Sequence, residues 1–234
     1  MRNESIHGYL IHARKYREKS YIVHLFSQEY GRIDGILRQN PPPQYQPIVL
    51  LASGKGQLKN FSKVEILTHP IFFSGDAFFS GFYLNELLIR LCAIEEPMPQ
   101  TFVKYVETLH VLQGLNENSQ PDLALRIALR EFEATLLHEL GYEIDFQRDV
   151  HGQSISTQLT YEYHLQEGFY PCSPAQRQAI DGADLNQLAQ PVAMCTPEQL
   201  KILTKLYRQM IAALLGDRPL KSRQLWVQQS QSQR

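Results

Sequence analysis

His138-Glu139-Leu140-Gly141-Tyr142 opens like the helical motif of zinc proteases, in which a second histidine four residues after the first puts two ligands on one helix face. Tyr142 stands at that position, so the metal pair is missing and its chemistry with it. Ser53-Gly54-Lys55-Gly56 faintly resembles a phosphate-cradling loop. Such a loop needs a Gly-Lys-Ser/Thr ending and a helix to follow, whereas the residues after Gly56 read as a strand and make a hairpin turn the simpler reading. The eight histidines do not cluster at ligand spacing apart from isolated pairs such as His7 and His12. His24 lies in an apolar strand, where a hydrogen-bonded barrel residue is the expected role. No Gly-x-Ser-x-Gly occurs, and Cys92, Cys172 and Cys195 are odd in number, far apart and without a Cys-x-x-Cys, which speaks against a disulfide framework, a closed zinc site or an activated thiol. The expectation is a protein that is not an enzyme and holds no metal or cofactor.

Binding chemistry is better represented. His12 to Ser20 carries Arg14, Lys15, Arg17 and Lys19 around Tyr16, read as a loop joining two strands at a barrel rim. Cations there neutralise phosphates and an aromatic ring stacks on bases. Lys55, Lys59 and Lys63 follow along a later hairpin, and Gly216 to Trp226 supplies Lys221 and Arg223, with Pro219 halting a helix and the single tryptophan, Trp226, placed to anchor the tail. Residues 1–80 hold ten Lys/Arg against six Asp/Glu, residues 81–200 six against seventeen, and residues 201–234 seven against one. Two basic ends flank an acidic middle, either a nucleic-acid footprint or a chance segregation of solvated surface. Arg126 and Arg130 lie one helical turn apart beside a core stripe, with Leu123 and Leu137 as neighbours. They could bind a peptide ending in acidic residues and a hydrophobe, or pair locally, Arg130 with Glu133 and Arg126 with Asp122.

The elements that must position these residues follow from periodicity. With 234 residues and 43% hydrophobic composition the chain can bury a large core without staples. GYLIHA, YIVHLFS, RIDGIL, PIVLLAS, GQLKNF and KVEILTH are short strand-like runs separated by turn formers, and about five such strands in eighty residues suggest a closed barrel. In YIVHLFS, Tyr21, Val23 and Leu25 face one way and Ile22, His24 and Phe26 the other. The triple proline of QNPPPQYQP excludes a central strand there. From about Phe78 the period becomes helical, with Leu84, Leu87, Leu88 and Leu91 on one face, Glu86 and Arg90 an i,i+4 pair on a partly solvated face, and Asn85 able to bond a neighbouring element. Further helices are expected over about 100–113, from Pro121 to Gly141 with Leu125, Leu129, Phe132, Leu136 and Leu140 as core stripe, and from the capping box Thr196-Pro197-Glu198-Gln199 to Gly216. The fold class is α+β, with a barrel over 1–78, a mainly helical domain over 79–226 containing an irregular insert at about 142–172, and a disordered tail over 227–234. No apolar run reaches the roughly 18 residues a membrane span needs, and charges interrupt the N-terminus before any signal-peptide core. A soluble cytoplasmic protein is expected.

Five stretches, GYLIHARKYREKSYIVHLFSQEYGRI, QPIVLL followed by GKGQLKNF, GFYLNELLIRL, LREFEATLLHELGY and RPLKSRQLW, run in order from about residue 5 to 226 and together resemble the bacterial recombination mediator family RecO. The resemblance implies an N-terminal OB-fold barrel and a helical domain. It further implies a protein that binds single-stranded DNA, anneals complementary strands, engages the acidic tail of single-stranded DNA-binding protein and, with RecR and possibly RecF, helps load RecA. Such a protein would be cytoplasmic and nucleoid-associated, with no membrane partner. Motif by motif, the DNA-binding role carries over to Arg14, Lys15 and Arg17 with neighbouring Lys19, to Lys55 and Lys59, and to Lys221 and Arg223. Arg130 best matches the face for the acidic tail, with Arg126, Leu123 and Leu137 beside it. In place of the family's basic KGAR-type loop this chain has LRQNPPPQYQ, where Arg38 is the one cation, and where some members carry four zinc cysteines only Cys172 is near. The alternative is a protein-interaction scaffold with little DNA binding.

Overall fold

Alternating apolar residues in the first part of the chain close five strands into a barrel: β1 (Glu4–Arg17), β2 (Ser20–Ser27), β3 (Gly31–Leu37), β4 (Pro47–Ser53) and β5 (Leu58–Ile66). The order β1-β2-β3-β5-β4, with β3 and β5 parallel and the other pairs antiparallel, is that of the expected OB-fold. The computed structural model describes residues 1–69, 71–216 and 218–232. Ile6, Leu10, Val23, Leu25, Ile33, Leu37, Ile48, Leu50, Ala52 and Phe61 fill the barrel. Gly35 is required beneath Phe61, because a Cβ there would lie 2.4 Å from the ring.

One irregularity in β1 decides what faces solvent. Leu10 pairs with Leu25 but His12 pairs with His24, so Ile11 is an extra residue, a β-bulge. Before it, Ile6 and Leu10 point inward; after it Ala13 packs on the core, and His12 and Arg14 turn outward. Partners outside the ladder hold the bulged carbonyl: Asn85 Nδ2 donates to Ile11 O at 3.1 Å and Gln44 Nε2 at 2.8 Å. The proline-rich segment before β4 thus supplies Gln44 to the bulge and buries Tyr45 against Phe73.

Asn85 lies on α1 (Gly75–Leu91), which is followed by α2 (Pro99–Gly114). It is buried, and its Oδ1 accepts from the Tyr105 hydroxyl of α2 at 2.7 Å, so one amide joins β1, α1 and α2. Around it Tyr9 and Phe26 from the outer barrel face meet Phe102 and Tyr105. Glu86 is partly solvated and lies 3.9 Å from Arg90, as expected, but it also has a role the sequence did not show. Its carboxylate accepts from the Lys221 and Ser222 amides, both at 2.8 Å, and from the Ser222 hydroxyl at 2.7 Å, capping α6 (Lys221–Ser232) from another helix. Arg90 donates to the carbonyls of Pro219 at 3.1 Å and Arg218 at 2.5 Å, fixing the entry to α6. The tail expected to be disordered from 227 is therefore helical through Ser232, because an externally capped first turn lets glutamine-rich sequence propagate; residues 233–234 lie outside the described residues.

The chain divides into two compact units, Met1–Ser119 with Arg218–Arg234, and Gln120–Asp217. The division falls away from the strand-to-helix change near residue 79, since α1, α2 and α6 belong with the barrel. The second unit holds α3 (Pro121–Glu139), a three-stranded sheet of order β7-β6-β8 from β6 (Thr160–His164), β7 (Gly168–Cys172) and β8 (Ile180–Asp181), then α4 (Gly182–Leu188) and α5 (Pro197–Leu215). Helix α3 ends in a Schellman turn at Gly141, φ 82°, with Tyr142 N–H on Leu137 O and Gly141 N–H on His138 O. Helix α5 starts with the capping box of Thr196 and Gln199.

If Glu86 caps α6, Glu86→Ala costs about 1 kcal/mol locally. Hydrogen exchange at the Lys221 and Ser222 amides then accelerates by roughly fivefold while the barrel amides stay protected; unchanged exchange at the two amides would contradict the cap.

Candidate nucleic-acid interface

Beyond Ala13, β1 and β2 continue as a two-stranded ribbon, with Arg14 opposite Ile22, Lys15 opposite Tyr21, Arg17 opposite Ser20, and Tyr16 in a second irregularity. The expected rim loop is corrected: strand geometry runs through Arg17 and only Glu18 and Lys19 form the turn. Cross-strand pairing with the β-branched and aromatic residues of β2 extends the ladder past the barrel wall. Arg14, Lys15, Tyr16, Arg17 and Lys19 are all exposed, and the Arg17 guanidinium sits 5.1 Å from the Tyr16 ring centre, a cation-π contact. Period-2 alternation puts Arg14 on the side of His12 and Lys15 on the opposite side.

Arg38 joins this end of the barrel. It is exposed just past Leu37, which pairs with Tyr21 at the base of the ribbon, and Tyr21 in turn donates its hydroxyl to Asn40 Oδ1 at 3.2 Å. Lys221 and Arg223 are exposed on the first turn of α6. Asn85 holds the Ile11 carbonyl while the next residue, Glu86, holds the Lys221 amide, so the start of α6 is tied close to the bulge. In agreement, the charge of Lys221 acts on His12. The His12 imidazole is held below its ordinary range first by burial, then by His24, Arg14 and Lys221. Arg14 from one end of the sequence and Lys221 from the other thus both lie near His12.

The β4–β5 hairpin does not join them. Its turn lies by Met1, whose amino group donates to Gly54 O at 3.2 Å, at the end of β1 opposite the ribbon. Lys55 is exposed there. Lys59 is a correction: it is 4% exposed, donates to Gly56 O at 2.7 Å and pairs with Glu95 at 2.6 Å, so its ammonium is an internal tie. In β5, Lys59 falls on the same alternation as the core residue Phe61 and so points inward.

A polar row on the outer face was not legible as a unit in the sequence. His24 Nδ1 lies 2.7 Å from Asp34 Oδ1, and Asp34 also accepts from Arg32 Nε at 3.1 Å and Nη2 at 2.8 Å. Arg32 Nη1 reaches the Ile89 carbonyl of α1. Burial works to raise the Asp34 pKa, but the hydrogen bonds and charges of His24 and Arg32 outweigh it and hold the carboxyl below its usual range. The His12 and His24 rings stack with centres 5.7 Å apart. The readable signal was antiparallel register: His24 and Asp34 are equidistant from the β2–β3 turn.

The expected acidic-tail face is not assembled as one surface. Arg126 is exposed and Leu123 partly so, but Leu137 is buried and Arg130 is 8% exposed. Arg130 pairs with Glu133 at 2.5 Å and donates to Thr204 Oγ1 of α5 at 2.5 Å. The local pairing weighed for Arg130 is the one realised, because α5 packs on α3 there. The buried stripe of α3 is accordingly Ala128, Phe132, Leu136 and Leu137 with the Arg130–Glu133 pair, rotated from the expected one. Among the described residues no group of three or more His, Cys, Asp or Glu is arranged to hold a metal ion, and no helix is long and apolar enough to cross a membrane.

Residues 1–69 match the family described as Recombination protein O N terminal, and residues 73–224 the family described as Recombination protein O C terminal. The chain is 36% identical over 232 residues to the DNA repair protein RecO of Pseudomonas paraeruginosa, covering 97% of this chain and 96% of that one. It is 34% identical to that of Pseudomonas aeruginosa strain LESB58 with the same coverage, and 32% identical to that of Aliivibrio salmonicida, covering 96% and 95%.

The burial of Arg130 predicts that Arg130→Ala lowers unfolding stability by about 3 kcal/mol, since Glu133 loses its guanidinium inside the protein. Arg126→Ala stays within about 0.5 kcal/mol. Urea unfolding of the two variants checks this, and equal midpoints would overturn the structural role of Arg130.

Proposed function

The chain belongs to the RecO family of DNA repair proteins, and on that footing we propose that it binds single-stranded DNA, anneals complementary strands and, with RecR, helps load RecA onto DNA coated by single-stranded DNA-binding protein. The observation that carries this reading is the exposed ribbon of Arg14, Lys15, Arg17 and Lys19 around Tyr16, flanked by Arg38, Lys221 and Arg223. The barrel unit holds sixteen Lys/Arg against eleven Asp/Glu and the second unit seven against thirteen, so the excess of positive charge lies in the unit that carries the ribbon. Cations along an extended ribbon neutralise phosphates, releasing counterions, and Tyr16 offers a face to a base. Annealing follows from the same charge, because two strands approach only when their mutual repulsion is screened.

No catalytic turnover is needed for any of these steps. The protein acts in the cytoplasm at the nucleoid. Capture of the acidic tail of single-stranded DNA-binding protein, with Arg130 and Leu137 internal, falls to Arg126 and the partly exposed Leu123. Lys55, at the opposite end of β1, contributes to longer strands.

The test is annealing of complementary oligonucleotides coated with the cognate single-stranded DNA-binding protein, with and without its acidic tail. Acceleration by the wild-type protein that depends on the tail is expected, as is a drop of about tenfold or more for Arg14→Ala/Arg17→Ala at moderate salt. No acceleration with either coat would overturn the reading and favour a scaffold without DNA chemistry.

A further inference from the structure

We infer that His12 and His24, together with Arg14 and Lys221, form a phosphodiester subsite on the outer barrel face, and that a strand binds there with uptake of a proton by His12. The inference rests on the single-stranded DNA reading above and adds to it a subsite and a dependence on pH.

The Ile11 bulge turns His12 and Arg14 to the same outward side, and the register places His24 directly across from His12. The rings lie 5.7 Å apart and 24° from parallel, half-buried side by side. His24 is oriented from behind. Asp34 is an ionised acceptor held by Arg32, so His24 Nδ1 carries its proton toward that carboxylate, which leaves Nε2 as the ring nitrogen outside that bond. Arg14 from β1 and Lys221 from α6 bring fixed positive charge to His12 from two elements.

The carboxylates nearby are already engaged. Asp34 from β3 serves His24 and Arg32, and Glu86 from α1 serves the first amides of α6 and lies 3.9 Å from Arg90. The charges acting on His12 are therefore those of His24, Arg14 and Lys221, all of one sign. Burial and these neighbours keep the ring neutral near neutral pH. A phosphodiester, itself anionic across this range, would reverse the local field and stabilise the imidazolium. A proton then passes from solvent to His12, and the protonated ring donates to a phosphate oxygen. By linkage, a group whose pKa rises on binding makes affinity increase as pH falls toward its free-state value.

The test is fluorescence anisotropy of a labelled oligothymidylate of about fifteen nucleotides, at constant ionic strength, with wild-type protein and His12→Gln. Wild-type affinity should rise about five- to tenfold between about pH 8 and about pH 6, and His12→Gln should flatten that rise to about twofold or less. A wild-type affinity independent of pH, or the same rise in the variant, overturns the inference while leaving the DNA reading intact. Absence of binding at every pH overturns both. A readout free of mutation is the imidazole resonance of His12 in the wild-type protein, titrated with and without the oligonucleotide. Its midpoint should move upward when the strand is bound, and an unmoved midpoint contradicts proton uptake.

Discussion

One extra residue in the first strand sets the character of the barrel's outer face. Without Ile11 as a bulge, alternation would send His12 and Arg14 into the barrel and Ala13 outward, burying charge where Val23 and Leu25 now pack. The bulge leaves a carbonyl that needs partners, and Asn85 and Gln44 supply them. Asn85 is costly to bury, and both its polar atoms are engaged, since its own carbonyl oxygen takes the Tyr105 hydroxyl. The polar pair in the middle of an apolar helix is thus explained by geometry: Asn85 fixes the first strand and Glu86, next in sequence, fixes the start of the last helix.

Those two contacts, together with Arg90 on the carbonyls of Arg218 and Pro219, gather the chain's ends into one unit. Charge that looks scattered along the sequence becomes local in space. Solvent exposure then separates cations of equal formal charge into different roles. Arg17 and Lys19 are exposed on the ribbon, whereas the buried Lys59 is held by the exposed Glu95 and Arg130 by the buried Glu133, and both contribute cohesion. A phosphate backbone can recruit the first kind; the second kind would have to leave a buried position and a carboxylate partner first.

Much of the fold was legible because it is governed by local rules. The turn residues and period-2 runs marked the barrel strands, Gly141 and Gly216 marked helix ends, and Thr196 to Gln199 marked a helix start. What was not legible depends on which element arrives from elsewhere. Arg130 reads as a surface cation until α5 brings Thr204 beside it, and Glu86 reads as no more than a partner for Arg90 until α6 places its bare amides there. The ribbon failed for a smaller reason. A single bulge or the exact extent of a hairpin changes the facing of every later side chain, and neither leaves a signature in composition.

The central claim is that outward-facing cations of the ribbon and of α6 bind a single strand through its phosphates. Its most direct test is the salt dependence of affinity for a short oligonucleotide. Neutralising roughly three to four phosphates predicts that log K falls against log salt with a slope of about −2 to −3, and that removing Arg14 and Arg17 makes the slope shallower by about 1.4. A slope near zero, or one unchanged when both arginines are removed, would contradict the account.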